Sequence, residues 1–464
     1  MIRTMLVLSA MAALSLTPTD AAAPTPRLAG VWVASGLDRP AFSGTITIER
    51  SRDGWTANAG GARASGRPEH GGNAFRFPGN IGALWTPLLT SKSLTGMWEQ
   101  PGSAIDSNAY ATPVTLRGRG SDSWAGVVAP FVPRYQLYAN FITATDGSLH
   151  GFLRDPIGDF GTMAPFDTVT TVGDSVTIRT RAHTFHGTID TSADTLRLAI
   201  GTGPPMLFRR LDPNTPNGFY PLPAHARLSF GAPVVHGDGW KVGTPTSVAI
   251  DNSKLGRLAA FLAAQNPTSP GTPYIQSVLI ARNDRLVSEQ YYYGFDRTRP
   301  HDVRSAGKSL DAALFGAAAL VAPALSVDTP ANSLLNYQDL AHPDARKSQI
   351  TVGNFLDMTS GLDCDENNDS SLGNEDTMQS QTTQSDWYRY IMDLPMVHDP
   401  GGLSAVYCSG GMNMTGAFIA GATHRWTPEF FDAVIARPLQ FGEYHLQLTP
   451  TDEMYLGGGS YFLP

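Results

Sequence analysis

The sequence predicts an α+β fold in two successive parts, on three observations. Residues 27 to 210 break into short alternating apolar and polar runs separated by Gly, Asp, Ser and Asn, the spacing of an antiparallel β barrel or sandwich. From about Trp240 the apolar period changes to i, i+3, i+4, i+7, the mark of amphipathic helices. Between the two, Leu211 to Gly243 carries Pro213, Pro216, Pro221, Pro223 and Pro233 and reads as a linker over residues 211–238, leaving 239–464 as the second domain.

At the start of the chain, Arg3 supplies a positive n-region, Met5 to Leu16 is an apolar stretch, and Ala21-Ala22-Ala23 offers a small-residue cleavage site. Residues 1–23 therefore read as a secretory signal. The apolar stretch is too short to span a bilayer, and no later segment reaches the roughly 18 to 20 apolar residues a span needs. The expected protein is exported, periplasmic or secreted from a bacterium, with no transmembrane segment.

In the β part, Gly44-Thr45-Ile46-Thr47-Ile48, Tyr135 to Tyr138 and Thr195 to Leu198 alternate as half-buried strands do. A short pattern recurs around Gly44, Gly96, Gly151 and Gly187; glycine inside a strand suits a sharp bend or a close backbone approach. Trp32, Trp55, Trp85, Trp98 and Trp124 are expected to fill the β core.

In the second part, Asp251 caps a helix bearing Leu255, Leu258, Ala259 and Leu262. Two strands, Tyr274 to Ala281 and Leu286 to Tyr293, flank the turn Arg282-Asn283-Asp284-Arg285, a hairpin signal. A strongly apolar helix runs from Ser305 to about Leu320, with further helices near Thr351 to Met358, Asp386 to Leu394 and Gly411 to Ala422. A hairpin followed by helices is an α+β arrangement rather than a doubly wound sheet.

Composition excludes several functions. With 41 acidic against 33 basic residues the net charge is −8, and no Lys/Arg run exceeds two residues, so a nucleic-acid partner is not expected. Nucleophile-elbow, Walker, dinucleotide-binding and HExxH motifs are all missing from the sequence, and no cofactor or metal is expected. In an oxidising compartment Cys364 and Cys408 are expected to pair. Their bridge closes a loop of roughly 44 residues, worth about 3 to 4 kcal/mol.

What remains is Ser305-Ala306-Gly307-Lys308 at the start of the apolar helix. Ser305 lies near the positive end of the helix dipole, and Lys308 one turn on along the same face. An amine held against a hydroxyl in an apolar cleft can accept the serine proton.

Together with Ile350 to Leu362 (ITVGNFLDMTSGL), Pro400-Gly401 and Tyr407-Cys408-Ser409-Gly410-Gly411, this stretch resembles the serine beta-lactamase superfamily: class C beta-lactamases, D-alanyl-D-alanine carboxypeptidases and related esterases. The resemblance runs from about Gly239 to the end. It implies a beta-lactamase-like fold, an acyl-enzyme on Ser305, Lys308 as its proton partner and Tyr407 as the residue sharing the general-base role and protonating the leaving group. Ser409 stands where the family commonly has Asn, which favours an ester or an atypical amide in the substrate-binding position. The family's later Lys/His-Thr/Ser-Gly motif has no match after Tyr407, so a chain shortened at its C-terminus, with an incomplete sheet, is expected. The implied partner is a small-molecule or peptidoglycan-like substrate, and the oligomeric state is left open. The competing expectation is a non-catalytic cell-envelope binding protein that keeps a degenerate hydrolase module.

Overall fold

The computed structural model describes residues 28–37, 40–103, 106–156, 163–181, 183–200, 204–226, 231–269, 272, 274–402 and 404–463. The secretory signal expected over 1–23 lies outside them. No helix among the described residues is long and apolar enough to cross a membrane.

The chain is α+β and separates into two compact units that interleave along the sequence. The first contains residues 28–36, 135–229 and 256–275; the second contains 37–134, 230–255 and 276–464. Residues 27–210 thus contribute strands to both.

In the first unit a nine-stranded antiparallel sheet is built mostly from the run Arg134–Arg210, with Gly30–Leu37 inserted beside Met206–Arg210. Trp32, Phe141, Ile178, Leu196 and Phe208 form its core. The recurrent glycines fit their strands by contact. A Cβ on Gly151 would collide with the Asn140 carbonyl oxygen, and one on Gly187 with that of Arg197. A neighbouring strand occupies the space where a side chain would be. Gly44 is different, with open space on that side.

In the second unit the strands from Gly44–Ser51 to Ser123–Val128 form an antiparallel sheet around Ile48, Phe75, Trp98, Leu116 and Trp124. Of the five tryptophans, Trp32, Trp85, Trp98 and Trp124 are buried and Trp55 is half-buried. This sheet does not end with its own sequence segment. Tyr444–Leu448 pairs antiparallel with Ala109–Gly118, in the register Leu446↔Ala111 and Leu448↔Ala109. Fully buried His445 seals the seam, its Nδ1 lying 2.8 Å from Thr112 Oγ1. The main core of the unit accordingly mixes Trp85, Met97 and Ala111 with Leu314, Phe355, Phe418 and Trp426. Burial of apolar area across that seam, at about 25 cal/mol per Å², unites the strands and helices in one body.

The hairpin is present as Ser277–Arg282 and Arg285–Tyr291, with Asn283 and Asp284 both at positive φ, as a tight two-residue turn requires. Lys241–Val242 adds a third, parallel strand. Tyr461–Phe462 bridges two partners, pairing with both Tyr444–Leu448 and His301–Asp302. It therefore ties the segment just before Ser305 to the rest of the unit.

Candidate active site

Four short-range features place the site. Asp302 Oδ1 accepts the Arg304 N–H at 3.0 Å, and its carboxylate pairs with the Arg304 guanidinium at 2.9 Å. Arg304 itself sits at φ 40°, in the left-handed region, a conformation that costs energy and is tolerated where surroundings enforce it. Ser305 follows in a 3-10 turn, Arg304–Gly307, and the α-helix begins at Lys308 and runs to Val321. The tighter turn leaves Ser305 exposed, while Lys308 is half-buried one turn further on.

Lys308 Nζ is the hub. It lies 3.0 Å from Ser305 Oγ and 3.2 Å from Ser409 Oγ, and it bonds the Gly457 carbonyl oxygen. The Tyr407 ring stands beside it, with the amine 5.1 Å from the ring centroid. All four residues singled out in the sequence, Ser305, Lys308, Tyr407 and Ser409, therefore meet around one amine.

The triple glycine 457–459 supplies the carbonyl contact. A Cβ on Gly458 would lie 2.9 Å from the Arg304 carbonyl carbon and 3.0 Å from the Ser305 nitrogen, and one on Gly459 would collide with Gln447 Oε1. Both residues also have φ above +110°, so glycine is demanded twice over, by conformation and by space.

Ser409 opens the helix Ser409–Thr423, whose N-cap is Cys408: its Sγ accepts the Gly411 N–H at 3.0 Å. Cys408 is disulfide-bonded to Cys364, with Cα atoms 5.4 Å apart. Both sulfur-bearing residues form part of the wall of a cleft of about 630 Å³ between the loops at 358–364 and 397–408.

Sequence reasoning missed Glu366. Its backbone N–H donates to the Tyr407 carbonyl at 3.0 Å, and its Oε1 accepts from the Ser409 N–H at 2.7 Å. The second oxygen accepts the Glu375 N–H at 2.8 Å, so one carboxylate serves the N-termini of two helices, where negative charge is favoured. Its place two residues after Cys364 was the only signal available. Glu366→Gln should cost about 1 to 3 kcal/mol in urea unfolding, because an amide offers one acceptor oxygen where two N–H groups point. An unchanged midpoint would show that Glu366 is not a strap. Glu375 is pushed above the usual carboxylate range by burial, and it accepts the Tyr455 hydroxyl.

The family comparison agrees with this geometry. Residues 276–461 match the Beta-lactamase family model. Among solved structures, a candidate beta-lactamase from Bacteroides dorei DSM 17855 is 22% identical, with 46% of this chain and 60% of that chain aligned at a TM-score of 0.35. A penicillin-binding protein from Bacillus halodurans is 19% identical over 36% of this chain and 56% of that one, at 0.27. FmtA from Staphylococcus aureus is 14% identical over 52% and 70%, at 0.35. The chain thus spans 60% of the length of the first of these. No curated protein matches it. The segment 276–461, which carries Ser305, Lys308, Tyr407 and Ser409, is a beta-lactamase-like domain by the match to that family model.

Proposed function

We propose that the chain is an exported serine hydrolase that forms an acyl-enzyme on Ser305 and acts on an ester, a lactam or a D-alanyl peptide. The observation that carries this reading is the set of three oxygens around Lys308 Nζ. A neutral amine has two N–H groups and one lone pair. The Gly457 carbonyl can only accept, so it takes one N–H; Ser409 Oγ takes the other; the lone pair is left for the Ser305 hydroxyl proton. That is the arrangement needed for Oγ to attack a carbonyl carbon while its proton moves to nitrogen.

In the first half-reaction the Ser305 Oγ–carbonyl bond forms, the bond to the leaving alcohol or amine breaks, and the proton held by Lys308 passes to the leaving group, directly or through Tyr407. In the second, water adds to the acyl carbon, gives its proton to the amine, and Ser305 Oγ is released protonated. Ser409, with a single hydroxyl fixed by its bond to Lys308, offers a small polar contact and suits an ester carbonyl better than an extended peptide amide. The export expected from residues 1–23 belongs to the same reading, and the paired Cys364 and Cys408 support it, since such bridges persist in oxidising compartments.

A fluorophosphonate or penicillin probe tests the proposal. Peptide mass spectrometry should locate the adduct on Ser305, and Ser305→Ala should abolish labelling without lowering the melting temperature. Labelling that survives in Ser305→Ala would remove the nucleophile assignment, and a wild-type chain that never labels would make the module a binding domain.

A further inference from the structure

We propose that Asn413 is a positioning residue: its side-chain oxygen holds the glycine run whose carbonyl meets Lys308, and so sets how Lys308 stands against Ser305. The inference rests on the reading of Lys308 as the proton partner of Ser305, and it adds the residue that supports one of the three contacts on that amine.

Asn413 lies four residues after Ser409 on the helix Ser409–Thr423, so the two side chains stand one above the other on the same face. Ser409 Oγ is 3.2 Å from Lys308 Nζ. One turn on, Asn413 Oδ1 accepts the Leu456 N–H at 3.0 Å. Leu456 immediately precedes Gly457, whose carbonyl accepts from Lys308. The helix therefore reaches the amine twice, directly through Ser409 and indirectly through the backbone of 456–457. The same backbone continues into Gly458, which packs against the Arg304 carbonyl carbon and the Ser305 nitrogen. A displacement of Leu456 is thus felt at the amine and at the nucleophile together.

The glycine run needs such a support. It is anchored before its start, where the Tyr455 N–H donates to the Gln447 carbonyl at 2.8 Å, and after its end, where the Ser460 carbonyl accepts the Val303 N–H at 3.0 Å. Between these anchors stand three consecutive glycines, the residue with the widest choice of backbone conformations. Asn413 pins the run at its first step.

The choice of asparagine is otherwise hard to account for. Asn413 is wholly buried, on a helix where Met412, Met414, Phe418 and Ile419 are buried as well. Because the Leu456 N–H can only donate, the atom facing it is the amide oxygen, and the amide nitrogen is left without a hydrogen-bond partner. A side chain that only filled space there would do better without polar atoms. The oxygen is the part of Asn413 that the structure uses.

Two measurements test the proposal, one of which does not depend on catalysis. Amide hydrogen exchange of the full chain, resolved to Leu456 by fragmentation mass spectrometry, should be about tenfold or more faster in Asn413→Leu than in wild type. Unchanged exchange would overturn the support. Labelling of Ser305 by a fluorophosphonate, followed against probe concentration at a temperature where every variant is folded, separates probe affinity from the acylation rate constant. Asn413→Leu should lower that rate constant about 10 to 100-fold, the scale of a small misplacement of a reacting group, and leave affinity within about twofold. Asn413→Asp, which keeps an acceptor oxygen at the same place, should restore the rate constant to within about threefold of wild type even where its melting temperature falls. Acylation that simply follows melting temperature across the variants, or an Asn413→Leu chain acylating at wild-type speed, would overturn the proposal. Asn413→Ala must give the same loss and stands in if the leucine variant fails to fold. A wild-type chain that never labels would remove Ser305 as the nucleophile and with it any catalytic role for Asn413, whatever the exchange at Leu456.

Discussion

Lys308→Arg should slow acylation of Ser305 by about 10² to 10⁴-fold, the range that general acid–base groups contribute. A guanidinium can still reach Ser305, Ser409 and the Gly457 carbonyl as a donor, so the variant keeps its positive charge and much of its hydrogen bonding. It has no lone pair at any working pH, so it cannot take the proton that must leave Oγ. Loss should therefore fall on the acylation rate constant, with probe affinity little changed. Stopped-flow kinetics with a chromogenic ester separates the two. A Lys308→Arg enzyme acylating at near wild-type speed would reduce Lys308 to a tether between the helix and the glycine run.

Removal of the Cys364–Cys408 bridge is the second large effect. The two cysteines are 44 residues apart, and the chain-entropy model assigns such a loop about 3 to 4 kcal/mol. The functional cost should be larger than a stability loss alone suggests, because Cys408 stands between Tyr407 and Ser409 and also caps the helix Ser409–Thr423. Replacing both cysteines by serine keeps a cap oxygen and removes only the covalent link. The double variant should unfold about 3 to 4 kcal/mol more easily and should acylate more slowly at temperatures where it is still folded. Unchanged denaturation by urea with and without reductant would mean that the hydrogen bonds of Glu366 suffice to hold the loop.

What the sequence disclosed, and what it withheld, follows a physical pattern. Cap residues are local, and Asp251, Thr351 and Asp386 all sit where the sequence put helix starts, each accepting the backbone N–H groups a cap should take. The hairpin turn was equally local. The constellation Ser305, Lys308, Tyr407 and Ser409 was legible because the motifs fall in a recognisable order, although their meeting at one amine is a tertiary fact. Gly457 was visible only as part of a glycine run near the end of the chain, and nothing in its neighbours announced a carbonyl aimed at Lys308. Nothing in the sequence marks Asp311 as buried, because its burial depends on the distant segment 454–460. The division of the β strands between two units was hidden for the same reason, since alternation reports that a strand has a buried face but not which core covers it.

The pairing of Leu446 with Ala111 sets an order of events during synthesis. These partners are 335 positions apart (446 − 111). A chain leaving the ribosome at roughly 5 to 20 residues per second makes residue 111 well before 446, leaving an interval of about 17 to 67 seconds. Throughout that time residues 109–111 present an open strand edge, the kind of template that recruits foreign strands. Tyr110 and Ala111 are almost wholly buried once folding is complete, so the waiting edge is also an apolar one. Maturation of this protein is therefore exposed to mispairing for most of its synthesis. A holdase that covers the early β strands until Tyr444–Leu448 arrives should raise the yield of folded chains more than one that acts on the late helices.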